Sequence, residues 1–284
     1  MRLLARGRVI EFPRRPLIMG IVNVSPDSFS GDGLSRVEAA LALARQMEID
    51  GAEIIDLGAE SARTDRGPIP EREEIDRLGA FIEQWRGEGL LSINTWRPAV
   101  ARAALALGGH LLNDIGALPT DENARTCAET GAGLVIMHSV GEPKAPHTHV
   151  RYGDIVARLE VFFEEKLAIA EWAGVAREQI LIDPGIDFAK QREDNLRIYR
   201  ELERLHRFGR PILLPVSRKT VIGEVLELPA AAERDAGTIA CIVQGLLRGA
   251  HIFRVHNVRA AVQSVRVIEA VTAAGNDQGP RPKE

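Results

Sequence analysis

Short apolar runs alternate with longer amphipathic segments along the 284 residues of the chain. Runs such as 133-GLVIM-137 and 180-ILI-182 are apolar on both faces, which is typical of parallel strands covered by helices on each side of a sheet. The pattern predicts eight strands, at residues 17–22, 53–57, 90–93, 110–112, 133–137, 180–182, 211–216 and 251–255.

Helical patterns follow these strands. They lie at residues 35–50, 71–86, 98–107, 121–130, 153–172, 193–208, 234–248 and 258–273. Eight strand–helix pairs favour an α/β fold, the (β/α)8 TIM barrel, as a single domain over residues 1–284, with an N-terminal extension at 1–15 and a flexible tail at 275–284. A doubly wound open sheet is the alternative, but 23-NVSPDS-28 lacks the glycine-rich phosphate fingerprint expected after its first strand.

Composition narrows the possible partners. A net charge of -4 gives no electrostatic signature of nucleic-acid binding. No apolar run approaches the length of a membrane span, and the basic N-terminal segment lacks the apolar core of a signal peptide, so we expect a cytoplasmic protein without a membrane partner. Cys127 and Cys241 are far apart and form no CxxC pair, which argues against a disulfide framework or a thiolate metal site.

Polar residues follow nearly every predicted strand. In order these are Asn23, 60-ESAR-63, Asn94, 113-ND-114, His138, Asp183, 217-SRK-219 and 254-RVH-256. Taken singly, such residues are usually turn formers or hydrogen-bonded structural groups. A barrel, however, brings the carboxyl ends of all its strands to one rim, where active sites of this fold lie. The joint pattern therefore predicts one site at that rim.

The charges divide across the predicted rim. Lys219, Arg254 and His256 come from the ends of the last two strands, where barrels commonly hold phosphate, and Arg63 could close on the anion from the other side. The amides of Asn94 and Asn113 and the carboxylate of Asp183 should point toward the barrel axis. Such groups can read the donor–acceptor edge of a flat heterocycle. The pattern predicts a ligand that joins a ring to a phosphate group.

The stretch 19-MGIVNVSPDSFSGDG-33 resembles the first signature of the dihydropteroate synthases, folate-pathway enzymes with a pterin-binding barrel. Other segments resemble that family in the same order: 51-GAEIIDLGAESAR-63, 92-SINT-95, 113-NDIGA-117, 136-IMHS-139, 181-LIDPGIDFAK-190, 213-LLPVSRKTVIG-223, 234-RDAGT-238 and 253-FRVHNV-258. The resemblance implies a transferase that condenses 6-hydroxymethyl-7,8-dihydropterin diphosphate with p-aminobenzoate to give dihydropteroate and pyrophosphate. Members of the family are usually homodimers packed through the last barrel helices, here residues 236–247.

The resemblance also implies roles for single residues. Asn23 would bind Mg²⁺ on the diphosphate, which Arg63, Arg254 and His256 would hold, and Asn113, Asp183 and Lys219 would hold the pterin. Lys219, Asp183 and Asn94 are the expected catalytic residues; the further substrate-binding residues are Phe29 and Thr220, beside the ring and carboxylate of p-aminobenzoate, and Met137, Phe188, Ser217 and Ala62. The loops at 24–33 and 61–70, here called the lid loops, would close over the site and exclude water.

Several positions depart from the family pattern within the site. Asn94 stands where the family has Asp, and an amide cannot stabilise a developing cation as a carboxylate does. Ala62 and Thr64 replace the Thr and Pro of E-S-T-R-P, and Asp187 and Ala189 interrupt G-F-G-K. These changes keep open a divergent pterin-binding paralogue with altered or absent synthase activity, and Thr64 predicts weakened sulfonamide inhibition. A third interpretation, a corrinoid-linked methyltransferase, gives no reason to keep the SRK and RVH segments.

Overall fold

The computed structural model describes residues 1–12, 15–24, 33–60, 67–145 and 149–273. The strands are β1 (Arg2–Ala5), β2 (Arg8–Glu11), β3 (Leu17–Asn23), β4 (Ile54–Gly58), β5 (Leu90–Asn94), β6 (Leu111–Asp114), β7 (Gly133–Met137), β8 (Ile180–Asp183), β9 (Leu213–Pro215) and β10 (Ile252–Val255). The helices are α1 (Gly33–Ile49), α2 (Glu71–Ile82), α3 (Pro98–Ala106), α4 (Glu122–Thr130), α5 (Ile155–Trp172), α6 (Arg192–Arg200), α7 (Thr220–Leu226), α8 (Asp235–Leu247) and α9 (Val258–Ala273).

Strands β3 to β10 form one parallel sheet in the order β8-β7-β6-β5-β4-β3-β10-β9. The two outer strands meet, because Ile182 of β8 bridges Ile212 just before β9 and its N–H donates to the Pro211 carbonyl at 3.1 Å. The predicted TIM barrel is confirmed, and each of the eight predicted strands is present. Residues on both faces of these strands are buried, which explains why the sequence showed apolar runs instead of alternation.

Alternate residues of β3 show how the barrel divides its core. Ile18 and Val22 point outward into the layer between sheet and helices. Leu17 and Met19 point inward, where they form a second apolar cluster with Ile54 and the inward residues at the starts of the other strands. The interior of the barrel is therefore apolar at its N-terminal end. The polar strand ends lie at the opposite end.

The N-terminal extension is an ordered hairpin, which the sequence pattern did not predict. β1 and β2 pair antiparallel around Arg6 and Gly7, whose φ angles of 49° and 77° fit the two-residue turn that such hairpins favour. Leu3 and Ala5 are buried in the same cluster as Leu17, so the hairpin closes the apolar end of the barrel. The Arg6 N–H donates to the Gly131 carbonyl at 2.7 Å and anchors the turn.

Two predicted helices differ from the observed ones, and one observed helix was not predicted. The predicted helix at 71–86 ends at Ile82, and that at 193–208 divides into α6 and a 3-10 segment, Leu202–Phe208, which ends at Gly209 with a φ of 58°. Helix α7 was not predicted, because its seven residues follow Lys219 directly and are too few to show a helical period. The described residues contain no helix long and apolar enough to cross a membrane.

Candidate active site

Amide side chains leave β3, β5 and β6 at one level of the rim. Asn23 pairs in register with Gly58, Gly58 with Asn94, and Asn94 with Asn113. Residues paired across parallel strands point to the same face of the sheet, so the three amides share the barrel mouth. A Cβ at Gly58 would lie 3.3 Å from Asn23 Oδ1 and 3.6 Å from the Asn94 Cβ, so glycine leaves the space between them open.

Asp56, in the middle of β4, is the centre of a buried hydrogen-bond network. Its carboxylate is fully buried. It accepts from Ser92 Oγ at 2.6 Å, Asn94 Nδ2 at 3.3 Å, Asn113 Nδ2 at 3.2 Å and Arg254 Nε at 2.7 Å. One carboxylate thus fixes side chains from three other strands, β5, β6 and β10. The ion pair with Arg254 offsets the cost of burying its charge.

Asp56 was missed by the sequence prediction, which considered only residues at strand ends. The available signal was a charged residue inside an otherwise apolar strand, 54-IIDLG-58. The same network leaves one atom unsatisfied: the buried Asn113 Oδ1 has no hydrogen-bond partner in the part of the chain that the structure describes. Buried polar atoms are seldom left unpaired, so this acceptor is suited to a ligand N–H.

Asp183 and Lys219 form the opposite wall of the mouth. Asp183 is 2% exposed, and its Oδ1 accepts the Gly185 N–H at 2.7 Å. Burial raises the pKa of Asp183 to about 6, although that hydrogen bond and the charges of Lys219 and Lys190 act to lower it. Desolvation lowers the pKa of Lys219, against the opposing pull of Asp187 and Asp183. Both groups are thus poised for proton-dependent binding nearer neutral pH than free side chains would be.

Lys219 is held over an aromatic ring. Its Nζ donates to the Ile186 carbonyl at 2.8 Å and lies 5.1 Å from the centre of the Phe188 ring, within the range of a cation–π contact. Phe188 itself is only partly buried. Thr220, the next residue after Lys219, is exposed.

Behind this wall lies a buried pair, Lys190 and His138. Lys190 Nζ is 2.8 Å from His138 Nδ1 and also donates to the Phe188 carbonyl at 3.0 Å. Burial lowers the pKa of Lys190 to about 7, and burial with the nearby lysine holds the pKa of His138 well below its usual value. His138 is therefore neutral at physiological pH. Its Nδ1 is hydrogen-bonded to Lys190, whereas its buried Nε2 has no hydrogen-bond partner among the described residues.

His256 and Ser217 form the third part of the mouth, next to Arg254. Ser217 Oγ accepts the backbone N–H of His256 at 3.1 Å and lies within hydrogen-bond distance of His256 Nδ1, at 2.8 Å. Desolvation, together with the charges of Arg254 and Arg218, lowers the pKa of His256 to about 4. When the Ser217 hydroxyl donates to Nδ1, the neutral imidazole carries its proton on Nε2, and that N–H can donate to an anion.

The remaining predicted residues fall into two groups. Met137 is buried at the end of β7, in register with Asp183. Four others, Phe29, Ala62, Arg63 and Thr64, lie outside the described residues with most of both lid loops. The structure describes the other predicted site residues, and all of them lie at or after the ends of strands that meet at one rim. They are Lys219, Asp183, Asn94, Asn113, Asn23, Arg254, His256, Ser217, Phe188, Met137 and Thr220.

An ion-pair cluster beside the mouth was also missed from sequence. Glu60 lies two residues after the end of β4, and its carboxylate binds Lys144 at 2.8 Å and Arg97 at 2.9 Å. Arg97 also binds the buried Glu74 at 2.8 Å, and Lys144 donates to the Gly67 carbonyl at 2.9 Å. The cluster joins both ends of the second lid loop to the body of the barrel. Its partners are distant in sequence, so no local pattern revealed it.

Comparison with known proteins decides the family. A model of pterin binding enzymes matches residues 19–256. The dihydropteroate synthase of Escherichia coli (strain K12) is 37% identical over 277 residues, which cover 96% of this chain and 98% of that protein. The chain belongs to the dihydropteroate synthase family. Its function is therefore that of a dihydropteroate synthase in folate biosynthesis.

Solved dihydropteroate synthases share the architecture over nearly the whole chain. A Xanthomonas albilineans dihydropteroate synthase with 4-aminobenzoic acid matches with a TM-score of 0.88 and 38% identity, covering 96% of this chain and 98% of that one. The enzyme from the same organism in complex with 7,8-dihydropteroate matches with a TM-score of 0.86 and 36% identity, covering 96% and 99%. The barrel is thus that of the dihydropteroate synthases.

Proposed function

We propose that the mouth described above binds 6-hydroxymethyl-7,8-dihydropterin diphosphate and transfers its pterin-methyl group to the amine of p-aminobenzoate, with release of pyrophosphate. The observation that carries this proposal is the pairing of a buried polar slot, formed by Asn113 and Asp183, with the cations Lys219 and Arg254 at one rim. A flat heterocycle with an anionic tail matches both halves at once. Two solved relatives that bind 4-aminobenzoic acid and 7,8-dihydropteroate support the choice of substrates.

The pterin ring would be bound by both hydrogen-bond acceptors and hydrogen-bond donors. The unpartnered Asn113 Oδ1 and the Asp183 carboxylate accept ring N–H groups, and Lys219 donates to a ring acceptor. Met137 lies in register with Asp183 and would pack against the ring. Asn94, held by Asp56, would face the methylene carbon where positive charge develops. The nearby Asp56 charge is buried and would stabilise that cation.

The diphosphate would lie on the side of β10. Among the described residues, Arg254 is tied only through its Nε to Asp56, which leaves both terminal nitrogens for a bidentate phosphate contact. His256 Nε2–H adds a neutral donor, and Arg63 and Ser217 would complete this side. These preorganised donors stabilise the leaving group as its charge grows.

A magnesium ion fits the site only if the substrate supplies most of its ligands. The described residues contain no cluster of three or more His, Cys, Asp or Glu side chains that could hold a metal. Asn23 Oδ1, open beside Gly58, can provide one oxygen ligand, and Mg²⁺ typically uses one or two protein ligands with phosphate oxygens and water. Bound there, Mg²⁺ would neutralise charge on the departing diphosphate.

The acceptor would enter from the exposed side of the mouth. Phe188, Thr220 and, from the lid loops, Phe29 and Ala62 would surround p-aminobenzoate, and closure of the lid loops would exclude water. We also propose that the protein acts in the cytoplasm as a homodimer through α8 and α9. Two free cysteines are consistent with a reducing compartment, and Leu247, Val267 and Val271 give these helices an exposed apolar face.

The test is a reaction of the purified protein with the dihydropterin diphosphate, p-aminobenzoate and Mg²⁺, in which pyrophosphate and dihydropteroate are measured together. Pyrophosphate and dihydropteroate should form in equal amounts. When p-aminobenzoate is omitted, the rate at which either product forms should fall. Binding of the dihydropterin diphosphate without formation of dihydropteroate would rule the proposal out.

A second candidate, a pterin-binding paralogue without efficient synthase activity, is favoured by one observation. Asn94 places an amide where the family has a carboxylate, and that amide is engaged by Asp56 at 3.3 Å. If the chain is such a paralogue, Asn94→Asp should raise the rate of dihydropteroate formation by an order of magnitude or more. An efficient wild-type enzyme would exclude this candidate, since Asp56 would then supply the charge that Asn94 lacks.

A further inference from the structure

The loop between β8 and α6 carries a carboxylate in an unusual backbone position. Gly185, Asp187 and Ala189 all have left-handed φ angles, of 68°, 70° and 51°. Glycine adopts this conformation freely, Asp tolerates it, and Ala does so with strain. The loop is held from below, because the buried Asn195 accepts the Asp187 N–H through its Oδ1 at 2.8 Å. The chain thus keeps a glycine-like loop while presenting an acidic side chain from it.

The Asp187 carboxylate is fixed at the edge of the mouth. One oxygen accepts the backbone N–H of Thr220, and the other accepts that of Val221 at 3.2 Å. These two residues follow Lys219 directly, and Asp187 is the leading charge that acts to raise the pKa of Lys219. Asp187 also adjoins Phe188, whose ring lies beneath the Lys219 ammonium. A fixed negative charge therefore lies beside the partly buried ring and the exposed Thr220.

The layout of the mouth determines which part of the second substrate approaches the Asp187 carboxylate. The buried slot of Asn113 and Asp183 holds the ring of the first substrate, so its reacting carbon must face the open side. The second substrate then approaches over the partly exposed Phe188 and past Thr220. Any anionic group on its outer end meets Asp187 and finds the N–H groups of Thr220 and Val221 already bonded.

We propose that Asp187 is a specificity-determining residue that disfavours acceptors carrying a negative charge opposite the amine. The inference rests on the proposed function, because it concerns the second substrate of that reaction. The p-aminobenzoate anion must tolerate or displace the Asp187 carboxylate, which raises its KM. An uncharged aryl amine of the same shape is exempt from this repulsion, so the enzyme uses it with relatively greater efficiency.

Two variants isolate the charge from the shape of the loop. Asp187→Asn removes the negative charge, keeps an acceptor oxygen and tolerates the left-handed backbone; Asp187→Gly removes the side chain and relaxes that backbone. Glu224→Gln is the matched control, because it makes the same change of charge at an exposed position of α7, four residues beyond Thr220. Each protein is assayed with p-aminobenzoate and with 4-aminobenzamide, its uncharged analogue.

The quantity measured is the ratio of kcat/KM for p-aminobenzoate to kcat/KM for 4-aminobenzamide. Removing a nearby like charge should raise this ratio roughly five- to tenfold in both Asp187 variants, through a lower KM for p-aminobenzoate with little change in kcat. The ratio should stay at the wild-type value in Glu224→Gln. A merely structural role of Asp187 would instead change both acceptors alike.

The outcomes separate this inference from the function on which it rests. If every variant makes product from both acceptors and the Asp187 ratio equals that of the wild type, the inference is wrong and the synthase function stands. A lower ratio in Asp187→Asn would also overturn the inference. Failure of the wild type and all variants to use either acceptor would overturn both together.

Discussion

At the scale of single residues, the network depends on Asp56 being ionised and buried. We predict that Asp56→Asn lowers the free energy of unfolding by about 3 kcal/mol, because an amide would present an N–H₂ group to the donors of Ser92, Asn94, Asn113 or Arg254 and leave the Arg254 charge without its partner. Arg254 would also lose its orientation toward phosphate, so kcat/KM should fall at least about a hundredfold. Urea unfolding and steady-state kinetics measure the two effects.

A matched control for Asp56 lies on the surface. Asp76→Asn breaks the ion pair with Arg72, in which the two side chains are 63% and 88% exposed, so it should change stability by less than about 0.5 kcal/mol. If the Asp56 variant behaved like this control, the network would not organise the site.

Asp183 predicts the pH dependence of substrate binding. Its pKa is raised to about 6 by burial, so its carboxylate becomes protonated as the pH falls through that value. We expect kcat/KM for the dihydropterin diphosphate to decline below pH 6, because a protonated carboxyl accepts ring N–H groups less well. Asp183→Asn should have a low rate without this step. A wild-type profile that is flat from pH 7 to 5 would contradict the assignment.

The raised pKa of Asp183 has opposite consequences for activity and for folding stability. The folded state holds the Asp183 proton up to about pH 6, whereas the unfolded state releases it near the ordinary value of 3.8. A carboxyl with a raised folded pKa favours the folded state increasingly as the pH falls from 6 toward 3.8. Relative to Asp183→Asn, the wild type should therefore gain stability over this window while its activity declines.

Sequence alone identified the residues at the rim but not those that hold them. Asp183, Lys219 and Arg254 were predictable because each lies at or just after the C-terminal end of an apolar strand and the fold brings such positions together. Asp56 was not, because one inward-facing carboxylate within an apolar strand has no local signal of its four partners. Asp187 was visible only as an interruption of a glycine motif, and its partners at 220 and 221 are distant in the chain.

At the scale of secondary-structure elements, predictability followed hydrophobic pattern. The eight barrel strands are apolar on both faces because the sheet is covered on both sides, and their sequences show it. The hairpin 2-RLLARGRVIE-11 is short and basic, and its apolar side is explained only by the barrel end that it covers. Tertiary packing, which sequence patterns do not show, makes it an ordered element.

The hairpin can be tested through its most buried residue. Leu3 is 0% exposed within the inner cluster, so Leu3→Ala should lower the free energy of unfolding by about 2–4 kcal/mol through lost burial and a residual cavity. Val9→Ala, on the other strand and 56% exposed, should cost less than about 0.5 kcal/mol. Both should keep wild-type kcat/KM at temperatures where they are folded, since the site is at the other end of the barrel. Equal stability of the two variants would show that the hairpin does not close the barrel.

At the scale of the whole molecule, stability and chemistry occupy opposite ends of one barrel. The hairpin and the inner apolar cluster fill the N-terminal end, whereas Asp56, Asn113 and Asp183 fill the C-terminal end with polar groups. Burying these groups costs free energy that the apolar end must supply. The division explains how the mouth can hold a carboxyl with a pKa near 6 and still belong to a folded domain.

The exposed face of the last two helices predicts how two chains associate. Leu247 of α8 is 60% exposed, and Val267 and Val271 of α9 are 60% and 66% exposed, which is a large apolar surface to leave in water. We predict that the wild type sediments as a dimer and that the double variant Leu247→Glu with Val271→Glu sediments as a monomer, because the interface would then bury unpaired charge. Val161→Glu, at a 54% exposed position of α5, should remain a dimer. Neither Leu247 nor Val271 belongs to the mouth, so the double variant should retain most of its kcat; a dimeric double variant would place the interface elsewhere.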